Sequence, residues 1–236
     1  MTDAYVKKNL CEVQHVLESA CVRASRATQP TLVAAVKYAD NAELAALLDA
    51  GVTDVGENRV QQLLAHLPVY EQRNVRVHFI GTLQKNKIKY IIDKVHAIHS
   101  VDSASLAAEI ARHAAQRGIC VRVFVEVNIG REEAKGGVLP EEAKALCREI
   151  LAMPSLSLCG LMTMAPRCES EEYHAYFRRT RELAEEIWQE LQIEGKPLLS
   201  MGMSESLEEA VLEGADLVRV GRRLFVRDES DTQFHV

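Results

Sequence analysis

The sequence has few aromatic residues, no long apolar run and no excess of basic charge. Aromatics make up 5% of the 236 residues, with one tryptophan among them. No stretch approaches the roughly 18 apolar residues of a transmembrane helix, so we expect no membrane association. The formal net charge is -6. We expect no nucleic-acid partner, because such binding depends largely on lysine and arginine that neutralise phosphates.

Paired cysteines are also missing. The six cysteines, at positions 11, 21, 120, 147, 159 and 168, include no C-x-x-C pair and match no common zinc spacing. His96 and His99 would point to opposite faces of a strand, which argues against a shared metal. Residues 1–26 contain no apolar core of a signal peptide. Ordinary thiols of a reducing compartment are favoured, and we expect a cytoplasmic protein without a metal site.

After an amphipathic first helix, strand-like and helix-like segments alternate along the chain. Val6, Leu10, Val13, Leu17 and Cys21 recur on one helical face. Short apolar runs predict strands at 31–36, 54–56, 76–80, 97–101, 120–128, 157–163, 197–201 and 216–220. Helical patterns follow at 41–50, 59–66, 86–92, 104–117, 140–152, 171–192 and 205–213. Gly51 should end a helix, whereas Asp102, Ser170 and Ser204 should cap helix starts.

Eight such units predict an α/β fold, a (β/α)8 TIM barrel that occupies residues 1–236 as a single domain. Residues 1–26 would pack on the barrel where an eighth helix would otherwise lie. An open, doubly wound sheet is the rival architecture. Because no dinucleotide-binding fingerprint is present, the barrel is favoured.

Active sites of such barrels lie at the C-terminal ends of the strands. Lys37 ends the apolar run of the first strand, on the same face as Val33 and Ala35. If that face points inward, the partly desolvated amine could form an imine with an aldehyde. The alternative is a lysine whose amine simply reaches water, and Lys37 alone favours this alternative.

The ends of the last two strands resemble a phosphate site, which these barrels often place there. Gly202 and Gly221 would allow the backbone to approach a ligand, and Ser204 could donate to a phosphate oxygen. Arg219 lies within an apolar strand. It is either a buried arginine satisfied by protein oxygens or a group that faces the ring nitrogen of a cofactor.

Several blocks of sequence resemble one known family, in the order of its strands. The blocks are Val33-Ala34-Ala35-Val36-Lys37, Gly56-Glu57-Asn58, His78-Phe79-Ile80-Gly81-Thr82, His99-Ser100-Val101-Asp102, Val127-Asn128-Ile129, Gly160-Leu161-Met162-Thr163-Met164, Ser200-Met201-Gly202-Met203-Ser204 and Val218-Arg219-Val220-Gly221. The family is that of the pyridoxal phosphate (PLP) homeostasis proteins, single-domain relatives of the alanine racemase N-terminal barrel. Each block is weak alone, but together they cover nearly the whole chain.

The resemblance implies that PLP is held as a Schiff base on Lys37. It implies that Arg219 lies near the pyridine nitrogen and that Asn58 and His78 lie near the cofactor. It places the phosphate around Ser204, Gly221 and Arg222. Two residues depart from the family pattern: Arg222 replaces a usual threonine or serine, and Val226 replaces a usual glycine. The Arg222 side chain would either pair with phosphate or point to solvent.

Three functions follow from these expectations. The favoured one is a non-catalytic PLP-binding protein, a monomer that acts in vitamin B6 and amino-acid homeostasis, with apo PLP enzymes as acceptors. The absence of the second domain that completes an alanine racemase site favours it over a small single-domain amino-acid racemase. The third hypothesis is a regulatory barrel that binds no cofactor.

Overall fold

Eight parallel strands form a closed barrel in the computed structural model, which describes residues 2–37 and 39–227. The strands are β1 Thr31–Ala35, β2 Asp54–Glu57, β3 Arg76–Phe79, β4 Ala97–Val101, β5 Val121–Val127, β6 Leu156–Thr163, β7 Leu198–Ser200 and β8 Leu217–Val220. The helices are α1 Thr2–Arg23, α2 Asn41–Asp49, α3 Val60–Glu71, α4 Ala104–Arg117, α5 Pro140–Leu151, α6 Ser170–Glu190, α7 Leu207–Leu212 and α8 Arg222–Phe225. A 3-10 helix, Lys85–Tyr90, connects β3 to β4.

Closure of the sheet confirms the predicted barrel, and the open-sheet alternative is wrong. The first and last strands pair in parallel, with Thr31 opposite Leu217 and Val33 opposite Arg219. All eight predicted strands are present, each within two residues of its expected ends. Small and branched residues make this closure favourable, because both faces of each strand are covered and must pack without voids.

Alternation along each strand separates two cores. Inward side chains fill the barrel interior, with Val33, Ala97, Phe124, Met162 and Leu217 buried in one cluster. Outward side chains pack under the helices in a second, larger cluster. Successive side chains of a strand point to opposite faces. A polar residue an even number of positions from one of these inward residues therefore also enters the barrel.

The N-terminal helix α1 packs against α2, α7 and α8. Its apolar face is buried, with Val6, Leu10, Val13 and Leu17 each at most 2% exposed. Asn9 on this face donates to the carbonyl oxygens of Leu224 in α8 and of Val226 just after it. Helix α8 is only four residues long, so it does not fill the position of an eighth barrel helix. Helix α1 occupies the space that remains.

Three predicted helix caps are wrong by one or two residues. Ser103, not Asp102, caps α4, since its Oγ accepts from the Leu106 amide at 3.3 Å. Ser170 is the first residue of α6, and Glu169 holds the cap position. The Ser170 hydroxyl donates to Glu209 instead. The predicted end of α2 is confirmed, because Gly51 has a φ of 98°.

The third wrong cap is Ser204, which affects the site. Helix α7 begins at Leu207, with Ser206 in the cap position, so Ser204 lies in the loop before it. Its hydroxyl is therefore outside the helix and is directed towards the start of α8. The amide of Arg223 approaches the Ser204 Oγ at 3.4 Å.

No helix in the described part of the chain is long and apolar enough to cross a bilayer. All six cysteines are free thiols. Burial raises the pKa of the Cys147 thiol to about 12, which makes it unreactive. Within residues 2–37 and 39–227 no group of three His, Cys, Asp or Glu side chains could hold a metal ion.

Candidate functional site at the C-terminal end of the barrel

Four of the predicted site residues follow the C-terminal ends of strands. Lys37 follows β1, Asn58 follows β2, Ser204 follows β7 and Gly221 follows β8. Because all eight strands are parallel, these ends meet at one mouth of the barrel. The folding pattern thus brings together residues that are far apart in sequence.

Lys37 lies at this mouth with an exposed side chain. Val33, four residues earlier, is fully buried in the interior cluster, so the inward face that the sequence required is confirmed for β1. Gln62 of α3 donates to the Lys37 carbonyl oxygen at 3.0 Å and fixes the chain at the end of the strand. The exposed lysine therefore follows the C-terminal end of β1.

Two glycines bring backbone close to the mouth. A Cβ at Gly221 would lie 3.0 Å from the Ala35 carbonyl oxygen, so β8 approaches β1 more tightly than most side chains permit. Gly202 has a φ of 91°, and a Cβ there would lie 2.4 Å from that of Ala210. Gly202 therefore requires glycine, and a side chain at Gly221 would require a small shift of Ala35.

The loops after β7 and β8 meet at Ser204. Its hydroxyl contacts the amide of Arg223, and the Arg223 side chain approaches its carbonyl oxygen at 3.5 Å. The Arg222 side chain is 61% exposed and forms an ion pair with Glu205. Of the two alternatives for Arg222, the structure has the one in which its guanidinium points outward.

Asn58 carries an unsatisfied polar atom. Its side-chain Oδ1 is buried and accepts no hydrogen bond from the residues that the structure describes. The preceding Glu57 points outward, where it accepts from Tyr70 at 2.6 Å and contacts His66. A buried amide oxygen without a donor costs roughly 1–3 kcal/mol, so Asn58 is suited to a donor from a ligand or water.

Arg219 is a buried cation on the inward face of β8. It is 5% exposed and donates to the Ser200 Oγ at 2.7 Å and to the Thr163 carbonyl oxygen at 2.8 Å. Burial lowers its pKa to about 10, against a smaller opposing effect of Glu126. The guanidinium therefore stays charged at neutral pH. Its remaining N–H groups donate to no residue that the structure describes.

From Arg219 a chain of hydrogen bonds crosses the barrel interior. Ser200 Oγ lies 2.9 Å from His99 Nδ1, His99 Nε2 lies 2.9 Å from His78 Nδ1, and His78 Nε2 lies 3.0 Å from Asp54 Oδ1. Arginine can only donate and a carboxylate can only accept. With one proton on each ring, every bond runs in the same direction, from Arg219 to Asp54.

His78 was expected near the cofactor, but both of its ring nitrogens bind protein groups. Its link to the mouth runs through His99, Ser200 and Arg219. The expectation that His96 and His99 point to opposite sides is wrong. The rings of His96 and His99 lie 5.3 and 5.0 Å from the His78 ring, because His96 precedes β4 and is not held by its pleat.

Sequence reasoning missed Glu126 on the inward face of β5. This side chain is 6% exposed, and burial and the nearby Asp102 raise its pKa to about 7, against the effect of Arg219. It is therefore a carboxyl group that can hold or release a proton near neutral pH beside the mouth. A glutamate within the apolar run 121–127, two residues after Phe124, was the available signal.

The site thus combines an amine, a buried cation and a backbone cradle. A flat ligand with an aldehyde at one end, a ring acceptor and a phosphate would find a partner for each group. An amine can bind an aldehyde carbon, and backbone amides can hold a phosphate. The two glycine contacts support this fit, whereas the unpaired Asn58 oxygen needs a donor that these three groups do not supply.

Comparisons with known proteins agree with this geometry. Residues 10–228 match the family described as alanine racemase, N-terminal domain. A protein of Aquifex aeolicus named pyridoxal phosphate homeostasis protein is 42% identical over 223 residues, which cover 92% of this chain and 97% of that protein. A Haemophilus influenzae protein of the same name is 31% identical and covers 97% of this chain and 98% of its own length.

A solved structure has the same fold. PipY of Synechococcus elongatus, determined with PLP bound, superposes with a TM-score of 0.82 at 28% identity. The alignment covers 94% of this chain and 100% of that chain.

Proposed function

The chain belongs to the pyridoxal phosphate homeostasis protein family, and on that premise we propose that it binds PLP at Lys37 and acts in PLP homeostasis. The observation that carries the proposal is the buried Arg219, which donates to Ser200 and Thr163 at the C-terminal ends of β7 and β6, the same end of the barrel at which Lys37 follows β1. The relatives' names and the PLP bound to PipY support it.

Each part of the cofactor has a proposed partner. Lys37 binds the aldehyde carbon, and Arg219 donates to the pyridine nitrogen. The phosphate is held by the Ser204 hydroxyl and by the backbone amides that follow Gly221, including that of Arg222. Asn58 flanks the ring. His78 acts indirectly, through the hydrogen bonds that orient Arg219.

Arg219 would restrict, without forbidding, carbanion chemistry on the cofactor. Bound PLP supplies an electrophilic carbonyl carbon and a ring that withdraws electrons best when its nitrogen is protonated. A permanent cation against that nitrogen disfavours the protonated form and so weakens electron withdrawal. No residue of the site specifically favours the racemase alternative, and the curated relatives carry the homeostasis name.

Exposure of Lys37 is consistent with transfer of the cofactor to apo PLP enzymes, which we propose as acceptors. We further propose that the protein acts as a monomer in the cytoplasm. The six free thiols support the reducing compartment. The barrel closes on itself and needs no second copy to complete the mouth residues named above.

The visible spectrum tests cofactor binding. Wild-type protein incubated with PLP should be yellow, and borohydride should attach the cofactor to the peptide that contains Lys37. Lys37→Ala should lose both signals. The matched control is Lys144→Ala, an exposed lysine paired with Glu190 on the helical layer, which should keep both. A wild-type protein that stays colourless with excess PLP would refute the proposal.

Two further assays separate carrier from enzyme. Loaded protein mixed with an apo PLP enzyme should restore that enzyme's activity faster than the same total PLP is released into buffer. Deuterium exchange at the α-carbon of L-alanine should not exceed the rate of the Lys37→Ala control. Sustained exchange above that control would establish the racemase alternative instead.

A further inference from the structure

A second cavity opens at the opposite, N-terminal end of the barrel. It has a volume of about 320 Å³ and is bounded by the first residues of several strands, including Thr31, Asp54 and Arg76. Its wall towards the barrel interior is apolar and consists of Ala97, Phe124, Leu198 and Leu217. The N-terminal face of such barrels ordinarily serves stability, so a lined cavity there is unusual.

The two carboxylates of this cavity are already neutralised. Asp54 accepts from Arg76 at 2.6 and 2.8 Å and from His78 at 3.0 Å. Asp216 accepts from Lys196 at 2.8 Å and from the Leu199 amide at 3.0 Å. Neither carboxylate is left to balance a further cation.

Arg122 is a second cationic side chain that lines this cavity, besides Arg76, and no carboxylate of the described residues neutralises it. It projects from the inward side of β5 at the rim, and its guanidinium forms no hydrogen bond or ion pair with the described residues. The neighbouring His96 has its pKa lowered by burial and then by His78, Arg122 and Arg76, with Asp54 opposing. The rim of the cavity is therefore positive.

We propose that this cavity is a second ligand site, which binds a short aliphatic carboxylate with its head on Arg122 and its tail against Leu198 and Leu217. A planar guanidinium fork binds a carboxylate through two parallel hydrogen bonds. The apolar wall excludes water from a short alkyl chain, which a bare inorganic anion would not exploit. The volume suits a ligand of a few heavy atoms.

The hydrogen-bond chain connects this site to the mouth. His78 lines the cavity, and the chain runs from it through His99 and Ser200 to Arg219. A carboxylate near Arg122 changes the potential at His96 and His78 first. Occupancy is therefore readable at the His78 ring without any cofactor present.

Butyrate binding to the cofactor-free full chain tests the site. Saturation-transfer difference NMR should detect butyrate, and imidazole 15N spectra should show shifts for His78 and His96 but not for the exposed His15. Arg122→Gln should weaken binding at least tenfold, as expected for loss of a charge-assisted bidentate pair of about 1.4 kcal/mol or more. Arg117→Gln, which removes an exposed arginine at the end of α4, should bind like wild type.

One further variant and two other ligands also test the site. Ala97→Val narrows the cavity while it keeps Arg122, and should also weaken butyrate binding. Neutral 1-butanol should bind much less. The proposal is overturned if Arg122→Gln binds butyrate as wild type does, if 1-butanol binds equally well, or if inorganic phosphate binds more tightly than butyrate. PLP binding is measured separately by absorbance, so failure at one end of the barrel does not imply failure at the other.

Discussion

Asp54 accepts the last bond of the chain that begins at Arg219, so replacing it with asparagine should destabilise the barrel. The carboxylate is 3% exposed and accepts two hydrogen bonds from Arg76, one from His78 and one from Thr53. Asparagine keeps one acceptor oxygen. Its amide group would place a donor against a donor of Arg76 or His78.

The expected loss is about 3 kcal/mol of unfolding free energy. Breaking a buried ion pair costs roughly 3–5 kcal/mol. We take the lower end because the Arg76 side chain is 53% exposed, and solvent screens its part of the interaction. The bond to the buried His78 accounts for most of the remainder, since hydrogen bonds to charged groups contribute about 1.5–3 kcal/mol.

The loss should depend on pH. Burial raises the pKa of Asp54, but the hydrogen bonds from Arg76, His78 and Thr53 outweigh it and hold the pKa well below its usual value of 3.8. A carboxyl group whose folded pKa is depressed stabilises the protein above its unfolded pKa, and this contribution is lost as pH falls through the folded pKa. The difference between wild type and Asp54→Asn should therefore be full at neutral pH and shrink below about pH 4.

Urea unfolding followed by the fluorescence of Trp188, the sole tryptophan, measures this difference. Trp188 is 5% exposed and reports loss of the packing around α6. Asp93→Asn is the control, because Asp93 forms an exposed pair with Lys94 whose loss should cost under about 1 kcal/mol. An effect of Asp54→Asn no larger than that of the control would refute the role assigned to the buried chain.

Three more predictions concern single positions. Gly160→Ala should prevent folding, as judged by circular dichroism, because a Cβ there would lie 1.8 Å from the Leu198 carbonyl oxygen. Arg222→Ala should change the PLP dissociation constant less than about threefold, since its side chain pairs with Glu205; a larger loss in absorbance titrations would mean that the guanidinium binds the phosphate. Glu126→Gln should stabilise the fold at pH 8 by up to about 3 kcal/mol and have little effect at pH 5. The reason is that the raised pKa of Glu126 makes its ionised carboxylate destabilising above the usual pKa of 4.5. Equal urea midpoints of the two proteins at pH 8 would contradict this.

Local patterns were sufficient for the barrel. Apolar runs and the glycine that ends α2 predicted all eight strands and the first helices, because periodicity and backbone preference act over a few residues. The mouth residues Lys37, Asn58 and Gly221 were also predicted, since parallel strands must end at one face. Helix starts such as Ser204 and Ser206 were misassigned because several neighbouring residues compete to cap the same helix.

Contacts across the barrel could not be read from the sequence. His78 and His99 are 21 residues apart, and Ser200 and Arg219 join them from the last two strands. Their pairing depends on the stagger of the closed sheet, which no local pattern specifies. The sequence by itself determined the strands, the fold and the residues at the mouth. Only the tertiary structure decided that His78 is held between Asp54 and His99, that Arg222 turns outward, and that Arg122 lines a second cavity without an ion-pair partner among the described residues. Each of these results depends on which distant side chains the closed barrel brings within bonding distance.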